Sequence, residues 1–205
     1  MFISIGGACM VKFNLDKFTG KKETLFFDWL ITDMNSINKI IGTNDISSIL
    51  FLENIIRNPN TPNKHGKARV MLKSLSSCES MHDLPANFSS KNVLEFIEKY
   101  KRRHNKIIDN IINNNSVIYF IRFGEVKIDE KKTFIKIIKD INLNCKFKLV
   151  ELVNQKDKNN YLINEDNFMS INLFNYKIKE INQNDWTESH WDWKNILEDI
   201  INLNN

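Results

Sequence analysis

Apolar residues along this chain fall into short continuous runs and longer helically spaced stripes, and the two kinds alternate. Phe2-Ile3-Ser4-Ile5 is short and apolar enough to predict a buried strand. Gly6 and Gly7 then permit a tight turn, after which Met10, Val11, Phe13 and Leu15 begin a helix. The aromatic cluster Leu25-Phe26-Phe27-Asp28-Trp29-Leu30 follows. From Leu30 onward, Ile31, Met34, Ile37, Ile40 and Ile41 have the spacing of an amphipathic helix. A short helix is predicted over 46–56. A loop follows at 58–63, where Pro59, Pro62 and three asparagines disfavour regular structure. Residues 68–75 read as a strand and 76–90 as a polar loop containing Met81-His82-Asp83-Leu84-Pro85.

The clearest helix runs from Asn92 to Asn113, capped by Ser89 or Ser90. Its apolar stripe is Val93, Ile97, Tyr100, Ile107, Ile108 and Ile111. Val117-Ile118-Tyr119-Phe120-Ile121 is a continuous apolar run, the mark of a strand buried on both faces. A helix over 130–141 aligns Phe134, Ile138 and Ile141, and a second buried strand spans 147–153. Shorter strands are predicted at 161–163 and 168–174. A last helix lies within 186–203, with Trp193, Ile196, Leu197, Ile200 and Leu203 inward. Strand, helix, strand with so short a crossover is the βαβ pattern of parallel strands. With no repeat and no long linker, residues 1–205 read as a single α/β domain. The expected architecture is a mostly parallel central sheet flanked by helices in a Rossmann-like three-layer arrangement.

Composition narrows the function classes. The chain has 205 residues, 42% of them hydrophobic, which suffices for one substantial core. Its Asn, Ile and Lys bias matches an AT-rich coding genome, so single Asn and Lys residues carry little information. The net charge of +4 is spread among interspersed acids and bases, without the concentrated basic stripe of a nucleic-acid binder. Three cysteines stand far apart with no Cys-x-x-Cys pair. That pattern argues against a structural zinc site or a disulfide scaffold and for a reducing, cytoplasmic compartment. No signal peptide and no apolar window of membrane-spanning length is read in the chain. Walker, Gly-x-Gly-x-x-Gly and Gly-x-Ser-x-Gly patterns are absent, and no His/carboxylate cluster has metal-ligand spacing. No cofactor or metal is expected.

Candidate chemistry centres on Cys9. Where a strand feeds a helix N-terminus, the dipole lowers a thiol's pKa and makes a nucleophile of it; the alternative is a small buried cysteine beside a turn. His82, in its polar, proline-punctuated segment, is the strongest partner base. Asp83 follows directly, but neighbours on an extended chain point apart, so it is not automatically the orienting carboxylate. Asp28, an acid inside an aromatic cluster, either pairs structurally or orients a catalytic base. Arg122 comes at the carboxyl edge of the sheet, where α/β proteins bind ligands. It is expected to meet an anionic ligand or a buried carboxylate such as Asp28 or Glu125. Arg103 flanks the inward stripe of the long helix while Arg102 points away, so Arg103 is the candidate for a buried pair. Among the other histidines, His104 reads as a core residue, His65 as solvated and His190 as packing at an edge.

Taken in order, Ser4-Ile5-Gly6-Gly7-Ala8-Cys9, Phe27-Asp28-Trp29, His82-Asp83, Arg102-Arg103 and Tyr119-Phe120-Ile121-Arg122 resemble a family described as papain-like cysteine peptidases of otherwise unknown function. The family pattern has a proline before Phe-Asp-Trp, where this chain has Phe26. The resemblance implies a nucleophile at Cys9 and a base at His82, in a bacterial or large-DNA-virus protein, the host cytoplasm being the location if viral. It also implies a papain-like α+β fold, the alternative to the parallel sheet read from the strand pattern.

The leading expectation is therefore a cysteine-dependent hydrolase or transferase. Gly6 and Gly7 would shape its ligand-binding turn, backbone amides near Gly7 to Met10 would form its oxyanion site, and its substrate stays open among peptide, glycan and small molecule. A second is a sugar- or nucleotide-binding enzyme using Arg122 and Arg103. A third is a catalytically inert viral interaction protein presenting Trp186, Trp191 and Trp193.

Overall fold

The apolar run at the start of the chain becomes the edge strand of a five-stranded sheet. A computed structural model describes residues 1–58, 66–155, 162–179, 185, 187 and 190–203. In chain order its elements are β1 (Phe2–Ser4), α1 (Cys9–Thr19), β2 (Leu30–Thr32), α2 (Met34–Ile41), β3 (Ile55–Arg57), β4 (Lys67–Leu72), β5 (Cys78–Pro85), α3 (Ser90–Asn113), β6 (Ile118–Phe123), α4 (Ile128–Ile141), β7 (Phe147–Val153), β8 (Leu162–Glu165), β9 (Phe168–Asn172) and α5 (Trp193–Asn202). Short 3-10 turns at Ile46–Ser48, Leu52–Asn54 and Leu173–Tyr176 complete them.

The first sheet has the order β1-β6-β7-β9-β8. Its first four strands are mutually parallel, and β8 joins antiparallel at the far edge. The βαβ unit read from the sequence is β6-α4-β7, with Ile118 in register with Phe147 and Arg122 with Glu151. Every residue of β7 is buried, as a parallel strand covered on both faces requires. The fold is α/β with a mostly parallel main sheet.

A second, antiparallel sheet of order β2-β5-β4-β3 lies between α1 and α3 in the chain, and the hydrophobic pattern did not foresee it. Three expectations are corrected here. The supposed polar loop 76–90 contains β5, eight residues long. Leu30–Thr32 is strand rather than helix, because Asp33 starts α2 by accepting the Ser36 N–H at 2.8 Å. The predicted helix over 46–56 is two 3-10 turns leading into β3. The strand predicted at 161–163 begins at Leu162, and Tyr161 lies outside the described residues.

Two apolar cores lie on the two faces of the main sheet. Met10, Val11 and Leu15 of α1 pack with Ile196, Leu197 and Ile200 of α5 against Tyr119, Ile121 and Val150. On the other face, Phe134 and Ile138 of α4 join residues of α2, α3 and the second sheet around Ile3, Phe120 and Leu149. The chain therefore leaves β1 toward one face and leaves the neighbouring β6 toward the other. The carboxyl ends of two such neighbouring strands are where open α/β sheets bind ligands.

Candidate active site

The Gly-Gly-Ala-Cys segment leaves the carboxyl end of β1 at that place. Gly6 and Gly7 both take left-handed backbone angles, φ +80° and +87°. A Cβ on Gly6 would stand 1.9 Å from Thr32 Oγ1, and one on Gly7 would stand 2.3 Å from the Phe123 carbonyl oxygen. Conformation and space therefore both demand glycine. The two residues seat the chain against β2 on one side and the end of β6 on the other. Ala8 is extended and supplies no side-chain cap, and α1 begins at Cys9, with the Val11 N–H reaching back to the Ala8 carbonyl at 3.4 Å.

Cys9 is partly exposed, whereas Cys78 and Cys145 are buried. Burial pushes the Cys9 thiol above its ordinary value, with its own backbone N–H pulling the other way. This corrects the expectation that the helix start alone would favour thiolate: desolvation outweighs it, and ionisation needs a proton acceptor. Cys78 is far more extreme, its thiol pushed up to about 12 by burial first and by the Asp33 carboxylate second.

His82 stands exposed on β5. Its strand is held to β2 by the register Leu30↔Ser80, and β2 is the same strand that takes the Gly6 turn through Thr32. The segments carrying Cys9 and His82 are thus both anchored on one three-residue strand. The His82 ring meets Trp29 edge-to-face, with centroids 6.4 Å apart and planes at 87°.

Trp29 has φ +67°, the one positive φ outside glycine among the described residues. For so bulky a side chain this costs about 1–3 kcal/mol and persists only where the surroundings enforce it. The enforcing group is Asp28. Its carboxylate accepts the Leu25 N–H at 2.7 Å, and Leu30 N–H closes on the Phe27 carbonyl at 3.2 Å, so the turn is locked from both ends. Asp28 also lies 3.4 Å from the ammonium of Lys12, one turn along α1 from Cys9. Lys12 is itself buried, bonded to Asp16 at 2.6 Å and to the Glu23 carbonyl. Burial raises the Asp28 carboxyl to about 6, against the pull of Lys12 and the Leu25 N–H.

Comparison with known proteins gives this arrangement a family. A model of the family described as "Putative papain-like cysteine peptidase (DUF1796)" matches residues 1–159, which include β1, the glycine turn, Cys9, Trp29 and His82. The chain belongs to that family. It is also similar to an uncharacterized protein of Acanthamoeba polyphaga mimivirus, 23% identical over 221 residues that cover 96% of each chain. No solved structure matches it.

The remaining residues singled out in this family member lie elsewhere. Asp83 turns away from His82, as neighbours on a strand do. It accepts from Ser80 Oγ and from Lys99, and from the Tyr100 hydroxyl at 2.7 Å. Burial would raise its carboxyl, but the bonds from Lys99, Ser80 and Tyr100 hold it below the usual range. Arg103 lays its guanidinium over the Tyr100 ring at 4.9 Å, while Arg102 is exposed. Arg122 is buried in β6 and donates from Nη1 to the Thr32 carbonyl at 2.9 Å, with Asp33 and Glu130 supplying nearby negative charge. It ties the main sheet to the β2–α2 joint.

His104 is a core residue with Nε2 3.0 Å from the Ile40 carbonyl, and burial lowers its pKa. His190 is buried against Trp191, with ring centroids 4.5 Å apart; His65 falls outside the described residues. Trp191 and Trp193 are core residues, 2% and 7% exposed, which removes them from any exposed aromatic surface; Trp186 lies outside the described residues. Sequence reasoning missed Lys12 and the role of Trp29. Lys12 gave one signal, since it follows Val11 and precedes Leu15 on a stripe otherwise apolar. Trp29 gave none.

Proposed function

We propose that this family member is a cysteine-dependent acyl-transfer enzyme, a hydrolase or transferase, with Cys9 as nucleophile and His82 as general base. The observation that carries the reading is the placement of the partly exposed Cys9 thiol at the first residue of α1, on a glycine turn anchored to the strand that also holds β5.

In the reaction, His82 takes the thiol proton as Cys9 Sγ bonds to an acyl carbon, and the carbonyl electron pair moves to oxygen. Backbone N–H groups at the start of α1, that of Met10 among them, donate to that oxyanion. Collapse expels the amine, alcohol or thiol leaving group, which takes the proton from His82 and leaves a thioester on Cys9. Water, or an acceptor nucleophile, then loses its proton to His82, attacks the thioester and regenerates the thiol. Gly6 and Gly7 shape the turn. Asp28 and Asp83 serve as anchors of the two segments, and Arg103 and Arg122 hold packing positions. The substrate is an acyl compound, whether peptide, glycan-linked or small.

The test is alkylation by iodoacetamide followed by peptide mapping, over pH 5.5–9, on the native protein, on Cys9→Ser and on His82→Asn. Cys9 is expected to take the first label while Cys78 and Cys145 stay protected. His82→Asn is expected to slow Cys9 labelling about tenfold or more below pH 7. A Cys9 that resists labelling, or that labels equally fast in His82→Asn, overturns the reading.

A further inference from the structure

Four observations converge on one aromatic ring. Trp29 makes an edge-to-face contact with the imidazole of His82. Its backbone is held in a conformation that no other non-glycine residue adopts among the described residues. The preceding residue, Asp28, closes the turn on the Leu25 N–H and faces Lys12 of α1. Lys12 is one helical turn from Cys9, so a continuous path of contacts runs from the nucleophile's helix to the imidazole.

We infer that Trp29 is the positioning residue for His82, fixing the orientation of its ring relative to α1; the inference rests on the nucleophile–base reading for its chemical consequence. The physical argument begins with exposure. His82 projects from an antiparallel strand into solvent, and its chain neighbour Asp83 is committed to Lys99, Tyr100 and Ser80. Without a wall, an exposed imidazole samples several side-chain rotamers, and a base spread over rotamers meets the thiol only part of the time. A wall built from an ordinary extended residue at position 29 would send its side chain elsewhere. The left-handed backbone aims the indole at β5, and the buried Asp28 carboxylate keeps it there. Backbone strain maintained next to a candidate base is the pattern expected of pre-organisation.

The test compares the full-length protein with Trp29→Gly and Trp29→Phe. Glycine accepts φ +67° without strain and removes the ring, so its effect is not a backbone effect; phenylalanine keeps an aromatic wall. Two readouts are taken: the NMR shift and pH titration of the His82 ring protons, assigned with His82→Asn, and the pH profile of Cys9 alkylation. Trp29→Gly is expected to abolish the indole's ring-current shift on His82 and to slow Cys9 alkylation near pH 6.5 about tenfold, with Trp29→Phe recovering most of that rate.

As a check independent of how either variant folds, the pH dependence of tryptophan fluorescence in the unaltered chain is compared with that of His82→Asn. A component that vanishes in His82→Asn reports the contact. Unchanged His82 shifts and alkylation in Trp29→Gly, a Trp29→Phe as slow as Trp29→Gly, or no His82-dependent fluorescence component would each overturn the inference. If instead the His82 shifts move in Trp29→Gly while alkylation is the same with and without His82, the Trp29–His82 contact stands and the nucleophile–base reading falls.

Discussion

Lys12, one turn into the helix that opens with Cys9, holds its ammonium 3.4 Å from the buried carboxylate of Asp28. The two residues couple the helix that opens with Cys9 to the turn that carries Trp29. The coupling leaves a signature in stability. Burial raises the Asp28 carboxyl to about 6 from its ordinary 3.8. A carboxyl raised on folding contributes its full stability below the unfolded value and loses it as pH rises through the folded one. Relative to Asp28→Asn, the unaltered protein should therefore lose stability between pH 4 and pH 6, by about 3 kcal/mol, and run parallel to the variant above that window. Urea unfolding at half-unit pH steps measures the difference; a flat difference across the window would show that Asp28 is not titrating there.

The glycine turn makes a graded prediction. Gly7→Ala drives a methyl into the Phe123 carbonyl, a backbone atom that no rotamer change can move. It should cost about 3 kcal/mol or more, combining left-handed strain with overlap. Gly20→Ala is the control, because Gly20 has a similar φ of +68° with nothing within 4 Å of the added methyl. It should cost only about 1 kcal/mol. Denaturant midpoints rank the two, and equal losses would mean that the close approach of Gly7 to β6 is not what requires glycine.

Asp83 predicts a mechanical effect on the strand that carries His82. Asp83→Asn removes the charged partner of Lys99 and weakens the acceptor of the buried Tyr100 hydroxyl. A loss of about 2 kcal/mol is expected. Because the Asp83 carboxyl is held low in the fold, the stability it provides is present above the usual carboxylate range and fades as pH falls through its lowered value. Hydrogen exchange should quicken in β5, while β6 and β7 in the other sheet keep their protection.

The elements legible in the chain are those whose burial is uniform or strictly periodic. Strands β6 and β7 are continuous apolar runs because both faces of a parallel sheet are covered. Helix α3 shows its stripe of Val93, Ile97, Tyr100, Ile107 and Ile111, and its Ser89 cap bonds Asn92 as a first-turn partner. Strand β5 escaped notice because His82 and Pro85 are exposed while Ser80, a polar residue, is buried; its alternation runs against residue polarity. Strand β2 escaped because Leu30, Ile31 and Thr32 fit either period, and only the Asp33 cap marks where the helix begins.

For the site, local chemistry in the chain was enough to single out the glycine turn, the thiol that follows it at a helix start, and a histidine in a polar segment. Those features depend on neighbours within a few residues, where φ preference and helix capping act. The rest depends on residues far apart in the chain. Pairing Leu30 with Ser80 puts His82 beside Trp29, and packing sets Lys12 against Asp28, while Trp29 takes a left-handed backbone that its own preferences oppose. Burial of Cys9 then raises the thiol that the helix start would have lowered. Solvent exclusion and strain are properties of the assembled neighbourhood, so neither is written in the order of the residues that supply it.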